Sequence, residues 1–205
     1  MVSSHPHSLN LMRGQTRRRF ILLLALIGST LVPSFPSQAS GTASDTATVN
    51  KVRILVMRHG ERPGDSTVPD LTEAGHRRAK ELARFLCERF GKPDFIIAAA
   101  LYNKNNRPQL TVKPLSELTG VPIDDSLESI KNKELADRLL HDGKYDGKLV
   151  VVNWHHSQIP LLARELHAPK GSFPDPWDNS IYNLILEFDF TGRDVPDVKQ
   201  VVEPF

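Results

Sequence analysis

A histidine flanked by arginines follows the first strongly apolar segment after residue 50. Val52 and residues 54–57 are apolar and rich in β-branched side chains, and Arg58, His59 and Arg62 follow them. A neutral imidazole nitrogen can act as a nucleophile towards phosphorus. The planar guanidinium group of arginine matches the oxygens of a phosphate. The grouping therefore indicates a nucleophile with an anion-binding site, whereas the simpler interpretation is a solvated charged turn.

Further polar groups follow later apolar segments. Arg107 comes shortly after the second predicted strand, and His155 and His156 come after the fourth. In open α/β sheets, ligands bind beyond the carboxyl ends of the strands. We therefore expect these side chains to gather near His59 at one edge of a sheet.

The elements that would position these residues alternate between strands and helices. This alternation predicts a three-layer α/β domain with a mainly parallel sheet. The apolar patterns and their flanking Gly, Pro and Thr residues predict strands over residues 52–57, 94–101, 121–123, 148–153 and 181–188, and helices over residues 72–90, 107–119, 127–140 and 158–166.

Three blocks of sequence, in order, resemble the histidine phosphatase superfamily, which has the phosphoglycerate mutase-like fold. The first is R-H-G-E-R-P at residues 58–63, followed by L-T-x-x-G-x-x-R-A at residues 71–79. The second is R-P-x-x-T at residues 107–111, followed by P-L-x-x-x-x-G at residues 114–120. The third is W-H-H-S-Q-I-P at residues 154–160, which is similar to the family's W-x-H-G-x-I-P.

The chain departs from the common family pattern at two places. Many members carry S-S-P before the second arginine, whereas this chain has three alanines at residues 98–100. Ser157 stands where the family usually has glycine. The resemblance is therefore to a bacterial form of the second block, with a small change in the third.

The resemblance implies a phosphoric monoester hydrolase, similar to the histidine acid phosphatases, that forms a phosphohistidine on His59. It places the phosphate-binding groups at Arg58, Arg107 and His156, the last as a protonated donor. Arg62 either reaches the phosphate or lies at the surface. The implied partner is a small phosphorylated substrate, and the implied chemistry needs no metal or cofactor.

The general acid that protonates the leaving oxygen is less clearly marked. Glu128 falls roughly where family members carry an L-x-E segment, and its alternative is an exposed carboxylate at the start of a helix. Asp124, Asp125 and Glu61 are rivals, although Glu61 could instead orient its neighbours. An enzyme without such an acid would favour substrates with good leaving groups, or phosphoramidates.

The other histidines have simpler interpretations. His155 neighbours His156 in extended backbone, so their side chains diverge, and we expect His155 to support the site or pack beside Trp154 instead of binding phosphate. His76, His141 and His167 lie on predicted helices and are expected at the surface. The loops predicted to line the pocket are residues 62–70, 102–106 and 172–179.

Other functions are open at this stage. A non-catalytic module could bind phosphorylated ligands with the same pocket, and a phosphomutase is a further member of the same family. A metal hydrolase fits less well. His59-Gly60-Glu61 matches the H-x-E of zinc deaminases, but Cys87 is the one cysteine, so their P-C-x-x-C partner is absent, as is any H-E-x-x-H.

The first 39 residues have the features of an export signal. They contain four arginines and no acidic residue, an apolar run at residues 20–32, and a small-residue end at residues 37–39. The segment T-R-R-R-F-I-L at residues 16–22 resembles a twin-arginine signal. We therefore expect export to a periplasm, a thylakoid lumen or the exterior. The alternatives are a general secretory leader and an uncleaved anchor.

After the leader, residues 40–50 are predicted to be a flexible lead-in and residues 51–205 the phosphatase-like domain. The whole chain has 26 basic and 24 acidic residues. Without the four leader arginines, 22 basic and 24 acidic residues are left, a net charge near −2. This balance argues against nucleic acid as a partner. Contact with a membrane is expected through the export signal alone.

Overall fold

A computed structural model of the chain describes residues 48–65, 68–101 and 105–205. This part of the chain contains a mixed sheet of six strands, four α-helices and a short 3₁₀ helix at Gly143–Tyr145. The predicted leader, residues 1–39, and most of the predicted lead-in, residues 40–50, lie outside the described residues. Within the described part, no helix is both long enough and apolar enough to cross a bilayer.

The strands follow the order β3-β2-β4-β1-β5-β6 across the sheet. The pairings β1–β4, β2–β4 and β2–β3 are parallel, whereas β5 pairs antiparallel with β1 and β6 with β5. This arrangement confirms the predicted mainly parallel sheet. The strands are β1 (Arg53–Arg58), β2 (Phe95–Ala98), β3 (Ile123–Asp124), β4 (Leu149–Trp154), β5 (Leu184–Asp189) and β6 (Asp197–Val202); the helices are α1 (Glu73–Phe90), α2 (Arg107–Thr119), α3 (Asn132–His141) and α4 (Ile159–Glu165).

The central strand β1 is covered on both faces. Ile54 and Val56 belong to a core shared with residues of α3 and α4. Leu55 and Met57 belong to a second core shared with residues of α1 and α2. Because successive residues of a strand point to opposite faces, a strand between two helix layers reads as one continuous apolar run. The three predicted layers are therefore present.

Helix α1 begins where its sequence predicts. The Thr72 side chain accepts a hydrogen bond from the Gly75 N–H at 3.0 Å, which caps the first turn. Leu82 and Leu86 are buried on the side that faces the sheet. The helix ends at Gly91, whose φ of 92° suits glycine.

The predicted helix over residues 127–140 begins later than expected, at Asn132. Leu127 is buried in the preceding turn, where its carbonyl accepts a hydrogen bond from the Ala100 N–H at 2.7 Å. Ile130 is 65% exposed, so it does not contribute to a buried helix face. The predicted start was wrong because Leu127 anchors a turn to the segment after β2, although its apolar spacing fits a helix.

The prediction that the chain ends with a strand over residues 181–188 was also wrong. That strand, β5, begins at Leu184, and β6 follows it as an antiparallel edge strand. The sequence of β6 is D-V-K-Q-V-V, and Val201 is its buried residue. Because β6 borders solvent and carries charged and polar side chains, its apolar pattern is too weak to identify a strand.

Helix α1 approaches the turn after β1 so closely that a side chain does not fit at Gly75. A Cβ atom at Gly75 would lie 2.6 Å from the carbonyl oxygen of Glu61. A Cβ atom at Gly60 would lie 3.1 Å from the carbonyl oxygen of Gly75. The two glycines of the first sequence block therefore let the helix support the turn that carries His59.

We expect Gly75→Ala to destabilise the protein by about 1–3 kcal/mol, because overpacking forces the backbone apart. Helix propensity acts in the opposite direction, since alanine is favoured over glycine in a helix by about 1 kcal/mol. Urea unfolding measures the difference. Gly143→Ala is the matched control, because no atom lies within 4 Å of a Cβ at that position. Equal midpoints for Gly75→Ala and the wild type would contradict the close approach.

Candidate active site

The register of β1 and β4 brings two histidines together. Arg58 pairs with Trp154, so the residues that follow them, His59 and His155, come side by side. Their ring centroids are 5.7 Å apart, with an interplanar angle of 73°. The sequence interpretation did not identify this contact, because it depends on which strands pair and in which register.

The His59 ring is held in one tautomer by its own neighbour. His59 is buried, and its Nδ1 lies 2.7 Å from the carbonyl oxygen of Gly60. A carbonyl oxygen can only accept a hydrogen bond, so Nδ1 carries the proton. Nε2 is then left with its lone pair, which is the form that a nucleophilic imidazole requires.

The surroundings of His59 oppose its protonation. Burial lowers its pKa to about 3, and the positive charges of Arg58, His155 and Arg107 add to this effect, whereas the hydrogen bond to Gly60 acts in the opposite direction. At neutral pH the ring is therefore uncharged and its Nε2 is available for attack.

Arg58 is fixed at the end of β1 by the segment before β5. Its Nη1 donates hydrogen bonds to the carbonyl oxygens of Asn179 at 2.8 Å and Ile181 at 3.1 Å. Its guanidinium carbon lies 3.7 Å from the centroid of the Tyr182 ring. Its Nε is buried and has no hydrogen-bond partner among the described residues. The stacked guanidinium therefore keeps hydrogen-bonding capacity in a fixed plane, which suits an anion.

Arg107 begins α2 and is buried. Its Nε donates a hydrogen bond to the carbonyl oxygen of Asp70 at 3.1 Å, and its Nη2 donates to that of Val68. One turn later, the Thr111 hydroxyl donates to the Arg107 carbonyl at 2.8 Å and accepts from the Gly60 N–H at 2.9 Å. The R-P-x-x-T block thus joins α2 to the turn that follows His59. Sequence reasoning matched Thr111 to a motif but assigned it no role.

Arg62 lies within electrostatic reach of both buried arginines, and His156 lies within reach of Arg58 and Arg62. Burial lowers the pKa of His156, and Arg58 and Arg62 lower it further. Arg62, although exposed, also lowers the pKa of Arg107, after the larger effect of burial. The protein alone thus favours neutral His156, and a phosphate dianion beside it would favour the charged donor that the sequence interpretation assigned.

The carboxylates are placed differently from the cations. Glu128 is exposed in the turn before α3. Among the described residues, no hydrogen bond or ion pair joins its side chain to the arginines and histidines near His59. Asp124 accepts a hydrogen bond from the Ser126 N–H at 3.0 Å, and Asp125 is exposed. Glu61 is bound to the side chain of Arg78.

One cluster therefore gathers most of the predicted site residues and leaves out the Glu128 side chain. In the described part of the chain, no three His, Cys, Asp or Glu side chains are grouped so as to hold a metal ion. The cluster consists of Arg58, His59, Arg62, Arg107, His155 and His156.

A cleft of about 350 Å³ opens beside His156. Asn179 lines this cleft, and its carbonyl oxygen also accepts the hydrogen bond from Arg58, so the cleft adjoins the cationic cluster. The predicted pocket loop at residues 172–179 contributes to its wall, whereas much of the predicted loop at residues 102–106 lies outside the described residues. The remaining lining residues are Ser157, Pro160, Leu161, Arg164, Asp175, Pro176 and Trp177.

No family model matches the chain, and no curated protein matches it. Solved structures do match. The protein histidine phosphatase SixA, complexed with tungstate, has a TM-score of 0.52 at 15% identity, over 74% of this chain and 97% of that one. A putative phosphohistidine phosphatase SixA from Agrobacterium tumefaciens has a TM-score of 0.51 at 16% identity, over 75% and 99%.

A mycobacterial glucosyl-3-phosphoglycerate phosphatase has a TM-score of 0.51 at 17% identity, over 74% of this chain and 97% of that one. At such identities the likeness establishes the fold. The chain has the phosphoglycerate mutase-like fold that its three sequence blocks predicted.

We expect the His59 ring to stay neutral, with its proton on Nδ1, from pH 8 down to pH 5. The unfolded chain takes up this proton near its ordinary pKa of about 6.5, whereas the folded protein does so at about 3. This histidine therefore makes the folded state less stable as the pH falls from about 6.5 towards about 3. Nitrogen-15 NMR of the imidazoles measures the tautomer, with His59→Asn for assignment and free imidazole as an internal reference. A midpoint for His59 near 6.5 would contradict the expectation.

Proposed function

We propose that the chain is a phosphatase that hydrolyses small phosphomonoesters through a phosphohistidine on His59. The observation that carries the proposal is the buried, neutral His59, whose Nε2 is free, in a cluster with Arg58 and Arg107. The solved structures of similar fold support it, since one of them is a protein histidine phosphatase and another is a glucosyl-3-phosphoglycerate phosphatase.

In the first step, Nε2 of His59 attacks the phosphorus atom and the bond from phosphorus to the leaving oxygen breaks. Arg58, Arg107 and His156 would hold the phosphoryl oxygens and stabilise the charge that they carry in the transition state. The leaving group would lie in the cleft beside His156. The products of this step are the phosphohistidine and the leaving group, whose oxygen takes up a proton from the solvent.

In the second step, water attacks the phosphohistidine and the bond between phosphorus and Nε2 breaks. Inorganic phosphate leaves, and His59 regains its lone pair. The hydrogen bond from Nδ1 to the Gly60 carbonyl can persist through both steps, so the ring need not change its orientation or its tautomer. Such preorganisation removes a reorganisation that would otherwise slow the reaction.

A phosphate-binding module without catalysis is the second candidate. The observation that favours it is that neither Glu61 nor Glu128 both contacts the cationic cluster and is free to donate a proton. Glu61 is bound to Arg78, and Glu128 is exposed and separate. The two candidates share the binding site and differ in turnover.

We expect the purified protein to hydrolyse an aryl phosphate in the presence of a chelator and to carry a base-stable, acid-labile phosphoryl group after rapid quenching. His59→Ala should lose both, because it removes the attacking nitrogen. His141→Ala, at an exposed position on α3, is the matched control. If neither turnover nor phosphoenzyme appears while inorganic phosphate still raises the melting temperature, the binding module is the better description.

A separate experiment tests the general acid. We expect Glu128→Gln to change kcat/KM less than about 2-fold, because this exposed side chain makes no contact with the cluster. A site without a general acid should also hydrolyse alkyl phosphates about 10²–10⁴-fold more slowly than aryl phosphates, since that is the usual contribution of such a group. Asp125→Asn tests the rival carboxylate in parallel. A loss in Glu128→Gln that is confined to alkyl phosphates would identify Glu128 as the acid.

A further inference from the structure

Three charged side chains from distant parts of the chain form a network behind the nucleophile. Arg78, on α1, donates from Nε to Glu61 Oε1 at 2.8 Å and from Nη1 to Glu203 Oε2 at 2.6 Å. The Glu203 side chain is 1% exposed and that of Arg78 17% exposed. The network joins the turn after β1, helix α1 and the segment after β6.

Glu203 is held in place by backbone and aromatic contacts. Its N–H donates to the carbonyl oxygen of Asn183 at 2.9 Å. Two residues later, the Phe205 ring packs against Phe85 of α1, with centroids 6.0 Å apart, and lies 5.8 Å from the guanidinium carbon of Arg78. The carboxyl-terminal segment is thus attached to α1 at more than one point.

At its other end, the network includes Glu61, the residue after the one that accepts the hydrogen bond from His59. Glu61 follows Gly60, whose carbonyl oxygen accepts the hydrogen bond from His59 Nδ1. The Glu61 carbonyl accepts a hydrogen bond from the Thr72 N–H at 2.9 Å. The turn at Gly60 and Glu61 is therefore held through its backbone, and the Glu61 side chain adds a contact to Arg78.

Burying the charged side chains of this network costs free energy, because they lose their hydration. Burial raises the pKa of Glu203 to about 7, although its hydrogen bond to Arg78 acts in the opposite direction. The hydrogen bonds to both carboxylates raise the pKa of Arg78 in spite of its burial. Buried ion pairs are often no more stabilising than apolar side chains of similar volume. The burial of this network is therefore weak evidence for a role in stability.

We propose that Glu203 is a positioning residue for the reaction: through Arg78 and Glu61 it holds the Gly60 carbonyl that fixes the His59 tautomer. Glu203 touches neither the substrate nor the reacting atoms. The inference rests on the proposed phosphatase activity. It predicts that loss of Glu203 weakens the chemical step more than it weakens phosphate binding.

The test compares Glu203→Ala, Glu203→Gln and Glu187→Ala in the full chain with 4-nitrophenyl phosphate as substrate. We expect Glu203→Ala to lower kcat about 10- to 100-fold, as misorientation of a reacting group does. KM and the inhibition constant of inorganic phosphate should change less than about 3-fold, because Arg58 and Arg107 are unaltered. Glu203→Gln should retain most of the activity, since its amide oxygen can still accept from Arg78.

Glu187→Ala is the matched control, because Glu187 is also a buried carboxylate beside an arginine, 3.5 Å from Arg53, and has no contact with the site. It should leave kcat unchanged. If Glu203→Ala fails to fold, Arg78→Lys replaces it, since lysine keeps the charge but has no planar fork with which to bridge both carboxylates. An unchanged kcat in a folded Glu203→Ala or Arg78→Lys variant would overturn the proposal, and so would a loss in Glu203→Gln as large as that in Glu203→Ala.

The proposal can also fail separately from the proposed function. Nitrogen-15 NMR of the His59 ring does not depend on turnover, and we expect Glu203→Ala to shift the proton partly from Nδ1 to Nε2. An inactive wild type whose His59 tautomer still changes in Glu203→Ala would contradict the phosphatase function and support the positioning role. An active wild type whose His59 tautomer is the same as that in Glu203→Ala would support the phosphatase function and contradict the positioning role.

Discussion

The parallel pairing of β1 with β4 is the constraint on which the site depends. It sets Arg53–Arg58 beside Leu149–Trp154, residue for residue. The side chain of Asn153 adds a hydrogen bond between the two strands by donating to the Arg58 carbonyl oxygen at 3.0 Å. A slip of one residue would reverse the faces of every side chain on the strand. It would also separate the two strand ends that carry the histidines, so the core and the site share one register.

Gathering buried cations at this sheet edge has an electrostatic cost, which hydrogen bonds to backbone carbonyls offset in part. Arg58 and Arg107 are both buried, and each donates to main-chain carbonyl oxygens. Carbonyls satisfy guanidinium groups without neutralising them, so the charge is still available to a dianion. Burial, with a further contribution from the same positive field, keeps His59 unprotonated. In the proposed reaction, one arrangement would thus prepare both the receptor for the phosphoryl group and the atom that attacks it.

The sequence predicted the parts of the fold that have a strong local pattern. The apolar run of β1, the Thr72 cap of α1 and the bounds of α2 are all visible in short segments, and the three motif blocks locate the cationic cluster. The failures were long-range. Leu127 has helical spacing but anchors a turn, and the edge strand β6 shows almost no apolar pattern. The contact of His155 with His59 requires the strand register.

The separation of Arg78 and Glu203 along the chain has a consequence for biosynthesis. Domains generally fold as units, beginning from the amino terminus while the ribosome is still adding residues. The contact between Arg78 and Glu203 spans 125 positions, so Glu203 leaves the ribosomal exit tunnel after all the residues of the cationic cluster. The cationic edge of the sheet can therefore assemble before Glu203 emerges, whereas the charged network around Arg78 cannot. A nascent chain can acquire its cationic surface while Arg78 still lacks its second carboxylate partner.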